Sequence, residues 1–113
     1  MNRISTRQRD GVTILDPKGK ITIGEGDIAL REVISEALAE GCRDLLINCS
    51  KVKRMDSSGL GELVAATERA KSQGASIKLT NLSASVRELL TMTALMGMLD
   101  VFESEDQALA SFG

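Results

Sequence analysis

Near its start, the chain has two short segments whose apolar and polar residues follow patterns of β-strands. Residues 4–9 alternate weakly and predict an edge strand, and residues 12–15 predict a second strand. Between them, Asp10-Gly11 is a dipeptide typical of a two-residue hairpin turn. Pro17 and Gly19 predict a bulge or bend, with residues 20–22 as a candidate continuation of the sheet.

Further along the chain, apolar residues recur at helical spacing and predict four helices. The residues expected to cap or begin them are Asp27, Ser57 or Ser58, Ser83 or Ser85, and Ser104. Gly41 and Gly74 are expected to end the first two helices. Ser85 and Ser104 are each followed three residues later by Glu or Gln, which is the spacing of a capping box.

Strands are expected between these helices. Residues 44–49 form a nearly continuous apolar run, which predicts a strand buried on both faces at the centre of a parallel sheet. Residues 76–80 and 99–102 predict two more strands. The expected order is β-β-α-β-α-β-α-β-α, which indicates an α/β fold. We predict a mixed, centrally parallel β-sheet of about five strands with about four helices, in one domain over residues 1–113.

The composition excludes several kinds of chemistry. The chain has no His, Tyr or Trp and only two Phe, so its core must be aliphatic. Without His there is no Ser–His–Asp triad and no imidazole metal ligand. With so few aromatic residues and a net charge of −2, the chain also lacks the stacking platforms and basic stripe of nucleic-acid-binding proteins. We therefore expect no enzymatic activity, no cofactor, no metal and no nucleic-acid partner.

The cysteines and the chain's apolar runs bear on where the protein acts. Cys42 and Cys49 match no zinc or redox spacing; Cys49 is interpreted as a buried apolar residue and Cys42 as incidental. Residues 1–10 are too polar for a signal peptide, and no apolar run approaches the length of about 18 residues that a membrane span requires. We expect a cytoplasmic protein without membrane contact. An exposed first strand indicates a monomer or a weak dimer.

One segment contains more special residues than a simple connection requires: Met55-Asp56-Ser57-Ser58-Gly59-Leu60-Gly61. It is expected directly after the central strand, at the carboxyl end of the sheet, where open α/β proteins place functional sites. Three successive residues in it favour the helix N-cap, although a helix needs only one. Gly59 and Gly61 each destabilise a helix by about 0.5–1 kcal/mol relative to Ala, but they leave room for the backbone of another protein.

An accessible serine hydroxyl in this position is a candidate for phosphorylation. A phosphate on Ser57 adds a charge of about −1.5 to −2, which the helix N-terminus favours and Asp56 opposes. We predict a local effect in which charge and bulk prevent docking. The alternative from the residues alone is an ordinary strand-to-helix turn with surplus capping residues. A nucleophile elbow is excluded, because Gly-x-Ser-x-Gly is absent and no base is available.

Three other features have two interpretations each. Residues 24–26 (Gly-Glu-Gly) indicate a turn, since they lack the Lys and Ser/Thr of a phosphate-binding loop. Lys51, Lys53 and Arg54 are either solvated surface charges or a means of steering an acidic partner. Three methionines indicate either core packing and loop filling or an adaptable apolar patch. They are Met92, Met96 and Met98.

The segment 55–61, entered from Leu45-Leu46-Ile47-Asn48, closely resembles the phosphoacceptor motif of bacterial anti-sigma-factor antagonists, the STAS-domain family. The resemblance covers nearly the whole chain. Gly-Lys-Ile-Thr at 19–22 lies where the family usually has Gly-Glu/Arg-Leu-Asp, and Asp-Gln-Ala-Leu at 106–109 matches the family's tail. The resemblance implies a STAS-like fold.

The same resemblance implies that Ser57 is the phosphoacceptor, surrounded by a partner-binding surface. That surface comprises Asp56, Ser58, Gly59, Gly61, Thr22 and Gly24. Within it, Asp56 would shape the kinase contact, Ser58 would cap or begin the helix, and the two helical glycines would leave space for the partner. Thr22 stands where the family often has Asp.

The resemblance also implies the partners. In the family, the unphosphorylated protein binds an anti-sigma factor that is a serine protein kinase, and so releases a sigma factor. Phosphorylation by that kinase blocks binding, and a serine phosphatase reverses it. The kinase brings the ATP and magnesium, so no cofactor is implied for this chain. Two alternatives remain open: a STAS scaffold subunit of a larger signalling complex, and a small-molecule or nucleotide-binding domain.

Overall fold

A computed structural model describes residues 4–112, which form six strands, four α-helices and one short 3-10 turn. The chain runs β1 (Ile4–Arg9), β2 (Val12–Ile21), α1 (Gly26–Ala39), β3 (Asp44–Asn48), β4 (Lys51–Met55), α2 (Ser57–Ser72), β5 (Ser76–Thr80), α3 (Ala84–Met92), the 3-10 turn (Met96–Met98), β6 (Asp100–Phe102) and α4 (Glu105–Ser111). None of the helices within the described range is long and apolar enough to cross a bilayer.

The sheet is mixed and has β3 at its centre. β3 pairs in parallel with β2 on one side and β5 on the other, and β6 extends the sheet beyond β5, also in parallel. β1 is antiparallel to β2. Residues 45–49 are all buried, as expected of a central strand. The predicted α/β class and the parallel centre of the sheet are therefore confirmed.

The strand β4 was not predicted, so the described sheet has six strands rather than about five. β4 pairs only with residues 18–21 of β2, and the register of this pairing shifts between Gly19 and Lys20. The shift lies beside Gly19, where a bulge or bend was predicted, although the extra residue is Lys53 of β4. Only Val52 and Met55 are buried in β4, and their spacing of three does not match the alternation that identifies a strand.

The turns and caps mostly follow the sequence. Asp10 and Gly11 have φ values of 52° and 79°, which the predicted hairpin turn requires. Ser104 caps α4 by accepting the Gln107 N–H at 3.2 Å. The expected Asp27 cap of α1 is wrong, because α1 already begins at Gly26. The cap of α3 is Ser83, the first of its two candidate residues.

The α3 cap is formed by Ser83, whose hydroxyl oxygen accepts the Val86 N–H at 3.3 Å. Ser85 lies inside α3 and is exposed, so the capping-box prediction for Ser85 and Glu88 is wrong. The hydroxyls of the two serines lie 3.2 Å apart.

Two apolar clusters cover the two faces of the sheet. In the larger cluster, the inner faces of α1, α2 and α3 pack on every second residue of the central strands. The smaller lies on the opposite face, where Ala108 and Leu109 of α4 pack on Val12, Ile14 and Leu46. Cys49 belongs to the larger cluster, and burial raises the pKa of its thiol to about 12, as expected for an apolar role.

An ion-pair network joins β1 to the start of α4. The guanidinium groups of Arg7 and Arg9 both donate to the Glu105 carboxylate, at 3.1 and 2.7 Å. The side-chain amide of Asn48, at the end of β3, donates to the same carboxylate at 3.0 Å. These hydrogen bonds, chiefly that from Arg7, lower the pKa of Glu105 to about 2. Glu105 thereby connects an edge strand, the central strand and the last helix.

We predict that Glu105→Gln lowers the free energy of unfolding at neutral pH by about 1 kcal/mol, because two arginines lose one of their two anionic partners; Arg7 keeps Asp16 and Arg9 keeps Asp106. The folded-state pKa lies below the ordinary value, so this stabilisation is present above that value. It is lost as the pH falls through about 5 toward 2. Urea unfolding of both proteins across this range measures the difference.

The matched control is Glu103→Gln. Glu103 is 79% exposed and makes a single long contact of 3.4 Å with Arg87, so its loss is expected to leave stability unchanged. A destabilisation by Glu105→Gln that is equally large at neutral and acidic pH would show that packing, rather than charge, is responsible.

Candidate functional site

The candidate site lies where β4 ends and α2 begins. It follows β4 rather than the central strand, which corrects the expected placement. Asp56 is the N-cap residue and has an extended backbone; its carboxylate accepts the Gly59 N–H at 3.0 Å. Ser57 and Ser58 are the first two residues of the helix, so of the three candidate capping residues only Asp56 acts as the cap.

The Ser57 side chain is exposed, whereas Ser58 is half-buried. No hydrogen bond to the Ser57 hydroxyl is present within residues 4–112. Because Asp56 already satisfies the cap, the Ser57 hydroxyl has no structural task in this part of the chain. It is therefore available for modification at a helix N-terminus, where an added anion meets partly unpaired backbone N–H groups.

The second oxygen of the Asp56 carboxylate holds the connection between β2 and α1. It accepts the Ile23 N–H at 3.0 Å. Together the bonds from the Gly59 and Ile23 N–H groups lower the pKa of Asp56. Asp56 thus stays ionised and connects two segments that are 33 residues apart in sequence. Its contact with a kinase stays a prediction.

The connection from Thr22 to Glu25 is also held from its other side. The Asp27 carboxylate accepts the Gly24 N–H at 3.0 Å, and the Asp27 N–H donates to the Thr22 carbonyl at 3.2 Å. Thr22 and Gly24, which the resemblance places on the partner surface, are therefore brought next to Asp56 through this one short connection. Thr22 is half-buried and Gly24 is exposed.

The structure gives Gly59 a different reason for being glycine from the one expected. A Cβ at Gly59 would lie 2.1 Å from the carbonyl oxygen of Ile21, and the residue is buried. The space that Gly59 provides is therefore taken by this chain's own β2. A Cβ at Gly61 would meet nothing within 4 Å, and Gly61 is exposed. Only Gly61 retains the expected role of leaving space for a partner.

We predict opposite effects for alanine at these two glycines. Gly59→Ala forces a methyl group against the backbone of β2 and is expected to lower the free energy of unfolding by at least about 2 kcal/mol. Gly61→Ala meets open space on a helix and is expected to raise it by about 0.5–1 kcal/mol. Denaturant unfolding of both variants tests this. Similar effects of the two substitutions would contradict the close approach at Gly59.

The cationic residues before the motif lie on an outer edge of the sheet. Lys51, Lys53 and Arg54 are exposed on β4, and Lys18 and Lys20 are exposed on the paired part of β2. None of these five makes an ion pair within the described range. A cleft of about 460 Å³ is lined by residues of both strands. The interpretation as solvated charges agrees with this exposure, and lysines on an edge strand also oppose sheet-to-sheet association.

The exposed apolar side chains were only partly anticipated. Met96 packs against the main core, whereas Met92 is 76% exposed, so the core-packing interpretation is wrong for Met92. Ile23 is 74% exposed and was overlooked. The available signal for Ile23 was a large aliphatic residue inside an otherwise polar, glycine-rich turn.

Comparison with known proteins shows which family the chain belongs to. The sequence profile of the STAS domain matches residues 3–108. The chain belongs to the STAS domain family. It is 40% identical over 81 residues to the anti-sigma-B factor antagonist of Bacillus subtilis strain 168, covering 69% of this chain and 74% of that relative. The resemblance identified from the motif is therefore confirmed at the level of the family.

Solved structures show the same fold. The crystal structure of a candidate anti-sigma factor antagonist from Thermotoga maritima superposes with a TM-score of 0.86 at 24% identity, covering 95% of this chain and 92% of that one. The phosphorylated form of the Bacillus cell fate determinant SpoIIAA gives a TM-score of 0.70 at 18% identity, covering 95% and 96%. These likenesses confirm the STAS-like architecture, including its mixed sheet and four helices.

Proposed function

We propose that this STAS domain is an anti-sigma-factor antagonist whose binding is switched at Ser57. In the unphosphorylated state it binds an anti-sigma factor that is a serine protein kinase, and a sigma factor is released. The observation that carries the proposal is the exposed Ser57 hydroxyl, which begins α2 but is not used in capping it. The name of the Bacillus subtilis relative, anti-sigma-B factor antagonist, supports the same role.

Phosphorylation acts locally in this proposal. The first turn of α2 is fixed by the approach of Gly59 to Ile21 and by the Asp56 cap. A phosphate on Ser57 therefore adds charge and volume to a surface that cannot withdraw from it. The ionised Asp56 beside it opposes a second anion, so the phosphate is directed outward, where a partner would have to desolvate it.

The chain itself is not the catalyst in this cycle. The kinase supplies ATP and magnesium, and a serine phosphatase acting on Ser57 restores the binding state. Asp56, Ser58, Gly61, Thr22 and Gly24 surround Ser57 as the partner-binding surface. We place the cycle in the cytoplasm, where a sigma factor and its kinase act.

We predict that tagged wild-type protein captures a serine kinase of the anti-sigma type from native lysate, and that Ser57→Asp binds it at least about tenfold more weakly, a difference of about 1.4 kcal/mol in binding free energy. Mass spectrometry identifies the kinase, and calorimetry with the purified pair measures the affinity.

Incubation with that kinase and Mg-ATP gives the matched control. Ser58→Ala is expected to accept one phosphate as the wild type does, and Ser57→Ala none, because Ser57 is exposed whereas Ser58 is half-buried. Equal capture by wild type and Ser57→Asp would contradict the switch and favour the alternative of a scaffold subunit in a larger complex.

A further inference from the structure

Ile23 is a large aliphatic side chain that the fold holds in solvent. Four large apolar side chains are exposed within residues 4–112, and two of them lie in the β2–α1 connection and the first turn of α1. The four are Ile23, Ile28, Met92 and Met98. A single exposed apolar residue needs no explanation, but Ile23 differs from most in how its backbone is fixed.

The backbone around Ile23 is fixed at three successive residues. The Ile23 N–H donates to Asp56, the Gly24 N–H donates to Asp27, and the Thr22 carbonyl accepts the Asp27 N–H. A mobile loop would be free to fold its isoleucine onto the protein, whereas this one is held with the side chain outward. Little conformational entropy remains to be lost when a partner covers it.

Ile23 is also close to the phosphoacceptor. The carboxylate that accepts the Ile23 N–H belongs to Asp56, the residue directly before Ser57. A partner whose active site reaches the Ser57 hydroxyl therefore meets the connection that carries Ile23. Most of the binding energy of a contact comes from a few side chains near its centre that enter well-packed, desolvated pockets.

We propose that Ile23 is the apolar anchor of this surface and enters an apolar pocket of the anti-sigma kinase, with Ile28 at its margin. The proposal rests on the proposed function and adds the chemistry by which the partner is recognised. It also gives a physical reason why phosphorylation of Ser57 blocks binding. A phosphate on Ser57 would have to be desolvated at the edge of an apolar contact, where an unpaired charge is most unfavourable.

The test compares Ile23→Ser with Met92→Ser, since the two wild-type side chains are 74% and 76% exposed and Met92 lies at the end of α3. The probe is the purified kinase that the wild-type protein captures. Ile23→Ser is expected to raise Kd by about tenfold or more, because an aliphatic side chain is no longer buried. Met92→Ser is expected to change Kd less than about twofold, and Ile23→Met less than about threefold.

Two further measurements separate anchoring from damage to the fold. Thermal unfolding of Ile23→Ser should match the wild type, since the serine keeps the N–H that Asp56 accepts. At saturating protein, the kinase should still phosphorylate Ser57 in this variant, because Ile23 acts in docking and not in the transfer.

An unchanged Kd for Ile23→Ser, or an equal rise in Kd for Ile23→Ser and Met92→Ser, would overturn the proposal that Ile23 is the anchor. An effect of Ile23→Ser on self-association alone would assign the side chain to a second copy of this chain and would also overturn it. If wild type binds the kinase and Ser57→Asp does not, the proposed function stands whatever Ile23 does. If wild type binds no kinase, both proposals fail.

Discussion

The site depends on two helices beginning in direct contact with the backbone of one strand end. Gly59 of α2 approaches the carbonyl oxygen of Ile21, and Gly26 of α1 approaches that of Lys20; a Cβ at either glycine would lie within 2.2 Å of the oxygen. Any side chain at these two positions would push a helix away from β2. The spacing between the start of α2 and the β2–α1 connection is therefore set by the absence of two methyl groups.

That spacing allows one carboxylate to serve both segments. Asp56 caps α2 through Gly59 and holds the connection through Ile23, each at 3.0 Å. A helix cap usually satisfies only its own helix; here it also fixes a loop from elsewhere in the sequence. With the cap and the loop assigned to Asp56, the adjacent Ser57 is left exposed. The availability of the serine is a consequence of its neighbour's position.

The sequence was informative where burial leaves a local pattern. The apolar run of β3, the Asp10-Gly11 turn and the Ser104 cap were all found, and the motif at 55–61 led to the family. The sequence did not predict the features that depend on a tertiary contact. β4 has too few buried residues to show an alternation, the need for glycine at Gly59 comes from Ile21, and the exposure of Ile23 depends on a hydrogen bond to Asp56.

β2 is divided between two parallel neighbours: residues 13–15 pair with the central strand, and its last four residues pair with β4. The end of β2 that pairs with β4 therefore tolerates more substitutions, without loss of fold stability, than the part that pairs with the central strand. Exposed positions of the outer pair, such as Lys20 and Arg54, can change without disturbing the central strands. Over evolution, a family built on this plan can acquire new binding specificities at the border of the site while the rest of the sheet remains unaltered.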